Sequence, residues 1–367
     1  MNLGKLILNS TEKSADLQYA AQFSAPDDFI WFSAGNIQAV VMSALEFGRA
    51  KAVVPAGVAV FPEQEFGKNR LEIICNIAKR CQLDGFEVPE DFPLKWADLL
   101  RKENLTVTAK DGAFFPEREF KSLEEVSKIT ASLRAAEAGC RHAVEILRAA
   151  DIGSGNKLIF EGRELTSEIL RHAIDSKMME YGMLPTGTIC AGGVQGSQPH
   201  NAGSGVLYAH TPIVMDIFPR SAETGYWGDL TRTVVKGRAE SIVKRAYEAV
   251  FEAREHAKSI IRSGLTGAFV HNEAAKVLEK HRFYTGKTDR ADFGFFHGLG
   301  HGVGLDIHEN PRLSPRADTV LAPRSVITIE PGLYYPEWGG IRLEDMVYLK
   351  EDGSCMVLTA MEDFLEV

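Results

Sequence analysis

Four acidic residues end or follow apolar, strand-like runs in the second half of this chain, and they come in two pairs. They are Asp216 in VLYAHTPIVMD, Asp229 in TGYWGDLTRT, Glu330 after SVITI and Glu344 after GGIRL. Proline and glycine residues separate the members of each pair, which is typical of a β-hairpin with its turn between the acids. Because paired strands share their faces, we expect each pair of carboxylates to face a common site.

A segment rich in glycine and histidine lies between the two predicted hairpins. It reads HGLGHGVGLDIHENP and holds three of the ten histidines of the chain, His297, His301 and His308. Its glycines are expected to allow close approach of the backbone to a site and to adopt positive φ angles. They are Gly298, Gly300, Gly302 and Gly304. The segment is therefore predicted to present imidazole groups to the acids from an irregular loop.

Four carboxylates and one imidazole form a ligand set that suits Mn²⁺, Co²⁺, Zn²⁺ or Fe²⁺, with no thiolate to select a softer ion. Two divalent ions would balance four buried carboxylates, which are very costly to bury without counter-charge. Two ions about 3.5–4 Å apart can hold a hydroxide and polarise a carbonyl. Arg342 precedes Glu344 by two positions, on the same face of a strand, where it can anchor an acid. Each residue alone is more often a solvated or turn-forming group, so the prediction depends on the whole set.

The flanking sequence predicts helices. Lys121–Leu147 has apolar residues every three to four positions, and Ser122 with Glu125 forms a capping-box pattern at its start. Further helices are predicted at Ser167–Tyr181, Ala239–Ser263 and Ala268–His281. Helices mixed with antiparallel hairpins indicate an α+β catalytic domain.

The first hundred residues show a different pattern. Short β-type runs at Phe29–Phe32 and Lys51–Val54 alternate with a helical stretch at Leu71–Cys81, which predicts an α/β domain. Nothing there gathers ligand-type side chains, so its role is expected to be shape or oligomerisation. At about 150 residues per domain, 367 residues allow two domains, which we place at 1–118 and 119–367.

Composition and missing motifs exclude several classes of protein. The formal charge is −9, and no basic cluster is interleaved with aromatic residues, so a nucleic-acid partner is not expected. No apolar run reaches about 18 residues, which argues against a membrane span. Five scattered cysteines, an odd number, favour a reducing compartment, and the predicted location is the cytoplasm. The sequence lacks the phosphate-loop, nucleophile-elbow, HExxH and CxxC motifs, and the run GLGHGVG lacks the third glycine of a dinucleotide-binding loop.

The ordered motifs resemble the metal-dependent aminopeptidase P and prolidase group of peptidases with the pita-bread fold, over roughly residues 121–367. The resemblance implies two divalent metal ions per chain, with Mn²⁺ foremost and Co²⁺ or Zn²⁺ as alternatives. By resemblance, Asp216 and Asp229 bind one ion; Asp229, His301 and Glu330 belong to the dinuclear cluster, and Glu344 bridges. The N-terminal domain resembles the creatinase-like α/β domain of these enzymes, and the resemblance also implies a homodimer.

The same resemblance assigns roles around the metals. His200, in GSQPHNAG, falls where the family has a histidine that contacts substrate, and His308 falls where a histidine contacts the region of the scissile carbonyl. His297 is expected to support the site, and Glu330 to handle the proton of the nucleophile. The chain departs from the family at Asp216, which lacks the usual glycine two positions later. Thirteen positions instead of eleven separate it from Asp229, so we infer a two-residue insertion in the hairpin loop.

The predicted function is hydrolysis of the peptide bond before proline, with a metal-bridging hydroxide as the nucleophile. A proline-containing peptide is the expected substrate, while the preference for dipeptides or longer peptides stays open. One alternative is a creatinase-like amidinohydrolase that needs no metal. Another is a peptidase-like binding protein that has lost catalysis. Methionine aminopeptidases are disfavoured because they generally lack an N-terminal domain of this kind.

Overall fold

The structure is a computed structural model that describes residues 1–289 and 292–367. The chain folds as two compact units, Met1–Arg118 and Glu119–Val367. Among the described residues, no helix is long and apolar enough to cross a membrane.

The N-terminal unit is built on a six-stranded sheet with helices along its connections. The strands are β1 (Leu3–Asn9), β2 (Phe29–Ala34), β3 (Ile37–Met42), β4 (Ala59–Pro62), β5 (Gly85–Val88) and β6 (Thr106–Ala109). The helices are α1 (Ala15–Ala21), α2 (Phe47–Val53), α3 (Arg70–Arg80) and α4 (Leu94–Lys102). The strand order is β4-β3-β2-β1-β5-β6, with antiparallel pairs at β1–β2 and β2–β3 and parallel pairs elsewhere.

Successive apolar side chains of the central strand β1 are buried on opposite faces of this sheet. Leu6 and Leu8 are buried in a core that includes Ile73 and Ile77 of α3, whereas Ile7 is buried in a second core with Leu17 of α1. Because successive strand residues point to opposite faces, one apolar run fills two cores.

One local prediction in this unit is wrong. Lys51–Val54, predicted as a β-type run, lies mostly within helix α2, in which Ala50 is the buried residue and Val53 is exposed. A four-residue apolar run cannot distinguish a strand from a short helix, and Pro55 ends the segment in either case. The predicted strand at Phe29–Phe32 and the helix at Leu71–Cys81 correspond to β2 and α3.

The described residues of the C-terminal unit form four long helices close to the predicted ranges. They are α5 (Leu123–Ala149), α6 (Ser167–Met179), α7 (Ser241–Ile260) and α8 (Gly267–Lys280). Both halves of the predicted capping box are formed, since Ser122 Oγ accepts from the Glu125 amide and the Glu125 carboxylate accepts from the Ser122 amide. The helix therefore begins directly after the predicted cap, two residues later than the predicted range.

The strands of this unit are mostly short and antiparallel. They are β7 (Asp151–Ile152), β8 (Leu158–Phe160), β9 (Arg163–Glu164), β10 (Met183–Leu184), β11 (Ile189–Gly192), β12 (Pro212–Ile217), β13 (Arg220–Ser221), β14 (Leu230–Val235), β15 (Gly286–Lys287), β16 (Asp292–Phe293), β17 (Gly300–Gly302), β18 (Glu309–Leu313), β19 (Val326–Ile329), β20 (Gly332–Tyr335), β21 (Gly339–Arg342), β22 (Asp345–Leu349) and β23 (Cys355–Val357). Three groups carry the site: the sheet β11-β12-β14, the sheet β18-β17-β19-β22-β23 and the hairpin β20-β21.

Helices α7 and α8 form the main core of the unit together with these strands. Val250, Ala274, Ile327, Ile341 and Val347 belong to one buried cluster that joins both helices to β19, β21 and β22. One side of these strands packs into this core, and their other side is available for polar groups.

Candidate metal centre

The first pair of acids lies on two paired strands, as the spacing predicts. Strands β12 and β14 pair antiparallel, and Asp216 is directly opposite Thr231. Asp229 comes just before β14, two positions ahead of Thr231, so alternation directs Asp229 and Thr231 to one side. The two aspartates therefore face the same region from neighbouring strands.

The second pair of acids lies at two breaks in one long hairpin. Ile329 of β19 pairs with Asp345 of β22, and further along Gly332 of β20 pairs with Arg342 of β21. Glu330 lies in the break on one strand, and Glu344 in the break on the other. The two breaks are at the same level, so the carboxylates leave the ladder together.

His301 brings an imidazole to three of these acids. Ligand atoms of Asp229, His301 and Glu344 all lie within 4.8 Å of one another, and the three residues are buried. His301 Nε2 is 3.7 Å from Asp229 Oδ2 and 3.4 Å from Glu330 Oε1. The arrangement is a compact oxygen and nitrogen donor set, of the kind that binds first-row divalent ions.

The backbone fixes the tautomer that His301 needs as a ligand. Its Nδ1 lies 3.1 Å from the carbonyl oxygen of Gly302, so the N–H is at Nδ1 and the lone pair of Nε2 points toward the acids. Burial lowers the pKa of His301 to about 3, which keeps the ring neutral. The imidazole is thus prepared to bind a cation.

The electrostatics of the acids show a shortage of positive charge. Burial raises the pKa of Asp229 and of Glu344 well above the ordinary range, and neighbouring carboxylates add to the effect. Burial also raises the pKa of Glu330 to about 8, against the opposing charge of Arg342. Glu344 Oε1 is buried with no hydrogen-bond partner among the described residues. Divalent ions would supply the missing charge and the missing partner, so the residues present fit a metal centre.

Asp216 has a different environment from the other three acids. Arg342 Nη2 donates to Asp216 Oδ2 at 2.5 Å, and Thr231 Oγ1 lies 3.0 Å from Asp216 Oδ1. The guanidinium therefore anchors an acid, as predicted for Arg342, and orients one face of that carboxylate toward the cavity.

The hydroxyl of Thr231 joins the two pairs of acids. It lies 3.0 Å from Asp216 Oδ1 and 2.9 Å from Glu344 Oε2, and it accepts from Arg342 Nε at 3.2 Å. A hydroxyl has one proton, so it can donate to one carboxylate at a time. Excess negative charge around this group is consistent with the raised pKa of Glu344.

The remaining predicted histidines line the same cavity, whose volume is about 1010 Å³. The ring centroid of His308 is 4.4 Å from that of His301, and His200 is an exposed residue on the cavity wall. Both ring nitrogens of His297 are engaged, Nδ1 by the Gly298 carbonyl at 2.7 Å and Nε2 by the Tyr334 hydroxyl at 3.0 Å. The cavity thus gathers every residue predicted for the site.

The glycines near His301 act by close packing and not by unusual φ angles. None of Gly298, Gly300, Gly302 and Gly304 has a left-handed φ, so that part of the prediction is wrong. A Cβ on Gly300 would lie 1.9 Å from the carbonyl oxygen of Thr328, and one on Gly302 would lie 2.0 Å from that of Asn310. The backbone around His301 therefore approaches its neighbours more closely than any side chain allows.

Three site residues were missed by the sequence analysis. Thr231 could have been found from strand alternation after Asp229. Arg312, which lines the cavity, lies directly across from His301 in the β17–β18 pair, a register that the sequence does not reveal. Tyr334 accepts from Arg342 Nη1 at 2.8 Å, and only the folded hairpin β20-β21 brings the two together.

Comparisons with known proteins identify the family of this chain. The sequence profile of metallopeptidase family M24 matches residues 127–351. A Bacillus subtilis (strain 168) protein named uncharacterized peptidase YqhT is 32% identical over 239 residues, which span 65% of this chain and 61% of that relative. A Xaa-Pro dipeptidase of Pyrococcus furiosus is 32% identical over 245 residues, which span 65% of this chain and 66% of that relative. The alignments thus cover slightly less than two thirds of these curated relatives.

Solved structures show the same fold over nearly the whole chain. A Xaa-Pro dipeptidase from Bacillus anthracis superposes with a TM-score of 0.84 at 21% identity, covering 99% of this chain and 95% of that one. An X-Pro aminopeptidase from Thermotoga maritima MSB8 gives a TM-score of 0.82 at 24% identity, covering 100% and 97%. The predicted fold class is confirmed, with an N-terminal α/β unit followed by a pita-bread catalytic domain.

The family profile, matched by more than half of the chain, and the buried ligand set lead to one assignment. This chain belongs to metallopeptidase family M24. The predicted resemblance to Xaa-Pro peptidases is confirmed at the level of this family and its relatives.

Proposed function

We propose that this chain is a dinuclear-metal hydrolase that removes the N-terminal residue from Xaa-Pro peptides. The observation that carries the proposal is the buried group Asp229, His301 and Glu344, with Glu330 beside it, on the wall of a large cavity. Relatives named as Xaa-Pro dipeptidases and aminopeptidases support the substrate class.

Five residues would hold the metal ions: Asp216, Asp229, His301, Glu330 and Glu344. Mn²⁺ is the proposed ion, with Co²⁺ or Zn²⁺ as alternatives, since oxygen donors and an imidazole accept all three. When bound, such ions supply a water of lowered pKa and a Lewis acid for the scissile carbonyl. The Arg342 guanidinium and the Thr231 hydroxyl keep Asp216 and Glu344 oriented toward them.

Glu330 is the proposed proton acceptor. Its Oε1 faces the ligand group, 3.4 Å from His301 Nε2, and burial raises the pKa of its carboxyl to about 8 in the metal-free chain. Bound ions require the deprotonated carboxylate, and in that form Glu330 can take the proton of the attacking water and pass it to the proline nitrogen, which leaves as a secondary amine.

His308 and His200 are the proposed hydrogen-bond donors to the substrate. Both line the cavity, and His308 lies against His301, where a carbonyl oxygen near the ligand group would be within reach. A donor aimed at developing negative charge typically contributes about 10²–10³ in rate. His297 acts through its hydrogen bond to Tyr334, which in turn accepts from Arg342.

The position of Arg312 supports a preference of the enzyme for dipeptides over longer peptides. It is paired with His301 across two strands, so its side chain is on the cavity face, and its guanidinium makes no ion pair or hydrogen bond to any described residue. A free cation at this place suits the carboxylate that an Xaa-Pro dipeptide carries one residue after the scissile bond.

The test is an assay of metal-stripped protein with Mn²⁺, Co²⁺ or Zn²⁺ restored one at a time. We expect metal-dependent release of alanine from Ala-Pro, less from Ala-Pro-Ala, and none from Ala-Ala-Ala. No cleavage by a sample that binds two ions per chain would refute the proposal and favour a binding protein. The predicted homodimer and the predicted cytoplasmic location stay predictions, to be checked by light scattering and cell fractionation.

A further inference from the structure

A buried ion pair involves Glu309, the residue that directly follows His308. Lys121 Nζ donates to Glu309 Oε2 at 2.6 Å, and the two side chains are only 2% and 7% exposed. The residues are 188 positions apart, one just before α5 and the other in β18. Lys121 also has Glu119 as an electrostatic neighbour, and its amide donates to the Arg324 carbonyl at 2.8 Å. A pair this buried is costly to form, so its location calls for a reason.

The Glu309 carboxylate also closes the loop of residues 304–309 on itself. Glu309 Oε1 accepts from the amide of Asp306 at 3.0 Å, and the amide of Gly304 donates to the Asp306 carbonyl at 3.0 Å. A Cβ on Gly304 would lie 2.5 Å from Glu309 Oε2, so any larger residue there would force the carboxylate to move. The Glu309 carboxylate is therefore in contact with the backbone of its own loop at Gly304 and Asp306.

The same loop is tied to the segment that leads into Asp229. The amide of Trp227 donates to the Gly304 carbonyl at 2.9 Å, and Trp227 Nε1 donates to the Leu305 carbonyl at 3.0 Å. The preceding residue, Tyr226, donates from its hydroxyl to Glu125 Oε1 at 2.8 Å. The start of α5 therefore braces both the 304–309 loop and the segment ahead of a ligand acid.

We propose that Lys121 and Glu309 are positioning residues that hold the imidazole of His308 in place for the hydrolysis, an inference that rests on the proposed function. Glu309 begins β18 and directly follows His308, which lines the cavity, so anchoring the Glu309 side chain fixes the backbone from which the imidazole projects. The Lys121–Glu309 ion pair and two hydrogen bonds from Trp227 attach this six-residue loop to its surroundings, and the hydrogen bond from the Asp306 amide to Glu309 closes it. Rate is sensitive to errors of about 1 Å in such groups.

The test replaces both charges by side chains of matched length, Lys121→Met with Glu309→Gln, so that neither member of the pair is left as a buried charge without the other. We expect the variant to fold and to bind the same number of metal ions. We expect kcat on Ala-Pro to fall about 10–100-fold with KM nearly unchanged. The exposed pair Lys157–Glu164, also at 2.6 Å, is the matched control, and Lys157→Met with Glu164→Gln should leave kcat unchanged.

A double-mutant cycle separates positioning from general destabilisation. In a His308→Ala background, the same two substitutions should have no further effect on kcat, because the group they position is gone. An equal loss in both backgrounds, or no loss in either, would overturn the inference. If the double variant does not fold, Gly304→Ala displaces the Glu309 carboxylate with both charges retained, and the same results are expected.

One readout does not depend on activity. The imidazole signals of His308 in ¹⁵N-histidine NMR spectra, assigned with His308→Ala, should shift or broaden in the Lys121→Met, Glu309→Gln variant but not in the control. If the wild-type protein cleaves no Xaa-Pro peptide, the proposed function fails, while the spectra still decide whether the ion pair positions His308. Unchanged His308 signals would overturn the inference even in an active enzyme.

Discussion

Arg342 and Asp216 form a 2.5 Å contact between side chains that are only 4% and 14% exposed. Of the four acids in the site, Asp216 is the one that a described Lys or Arg side chain contacts directly. The other three have pKa values raised by burial, and the imidazole that lies close to all three, His301, is neutral. The centre is therefore asymmetric before any metal binds: one acid is already neutralised, and three await cations.

Replacing Arg342 by Lys should weaken metal binding and activity. A lysine keeps the charge but cannot hold Asp216, Thr231 and Tyr334 at once, as the guanidinium does. We expect kcat/KM on Ala-Pro to fall about 10–100-fold, with a loss of bound metal measured by atomic emission. Arg316→Lys, at an exposed position, is the control, and an Arg342→Lys enzyme within twofold of wild type would contradict this account.

Replacing Thr231 by Val should lower metal affinity with little change in fold. The two side chains have nearly the same shape, but valine lacks the hydroxyl that lies between Asp216 and Glu344. Loss of a partner that orients ligand groups typically costs about 10–100-fold in affinity. Isothermal titration with Mn²⁺ measures it. Thr233→Val would mainly remove contacts to the Arg342 backbone, so equal losses in both variants would argue against a specific role of Thr231.

Replacing Arg312 by Gln should change the preference for peptide length. Without the cation, the carboxylate of Ala-Pro loses its partner, so KM for Ala-Pro should rise about tenfold or more. KM for Ala-Pro-Ala, whose carboxylate lies one residue further away, should change little. A parallel rise in both KM values would mean that Arg312 supports the site in another way.

The metal-free protein should lose stability as the pH rises, and the metal-loaded protein should not. Burial raises the folded-state pKa of Glu330 to about 8, above its ordinary value of 4.5, so the folded state binds the extra proton. Its contribution is therefore fully present below about pH 4.5 and is lost as the pH rises through 8. Ions need the deprotonated form, so metal affinity should increase with pH and binding near pH 7 should release protons. Urea unfolding with and without Mn²⁺, and calorimetry in buffers of different ionisation enthalpy, test both signs.

Asp345 should contribute strongly to stability, in the opposite pH range. Burial would raise its pKa, but Arg254, Arg232 and Lys258 outweigh burial and hold the pKa below the ordinary 3.8. Its contribution is thus present above pH 3.8 and disappears as the pH falls through the lower folded-state value. Asp345→Asn leaves three cations short of a partner and should cost about 3 kcal/mol in urea unfolding. The exposed Asp352→Asn is the control, and equal losses would contradict this role.

Much of the fold around the site was predictable because it depends on contacts between residues that are close in the sequence. The capping box of Ser122 and Glu125 and the apolar spacing behind it mark α5 within two residues, because both depend on contacts along one helix. Acids at the ends of apolar runs with turn residues between them predicted paired strands, since a hairpin is also a local structure.

Contacts between distant segments were not predictable in the same way. Arg312 faces the cavity because β18 pairs with β17 in one register, and Lys121 meets Glu309 across 188 positions. The glycines around His301 were expected to have positive φ, but they are required by neighbouring backbone, which sequence spacing cannot show. The strand predicted at Lys51–Val54 was wrong because a run of four residues fits a helix as well as a strand.

The central claim is that the buried acids and His301 form a metal centre that cleaves the bond before proline. The most direct measurement titrates the metal-free chain with Mn²⁺ and follows bound metal and Ala-Pro hydrolysis in the same samples. We predict that activity rises with occupancy up to two ions per chain, and that Asp229→Asn neither binds the full complement nor cleaves. Hydrolysis by the metal-free chain, or two bound ions without hydrolysis, would contradict the account.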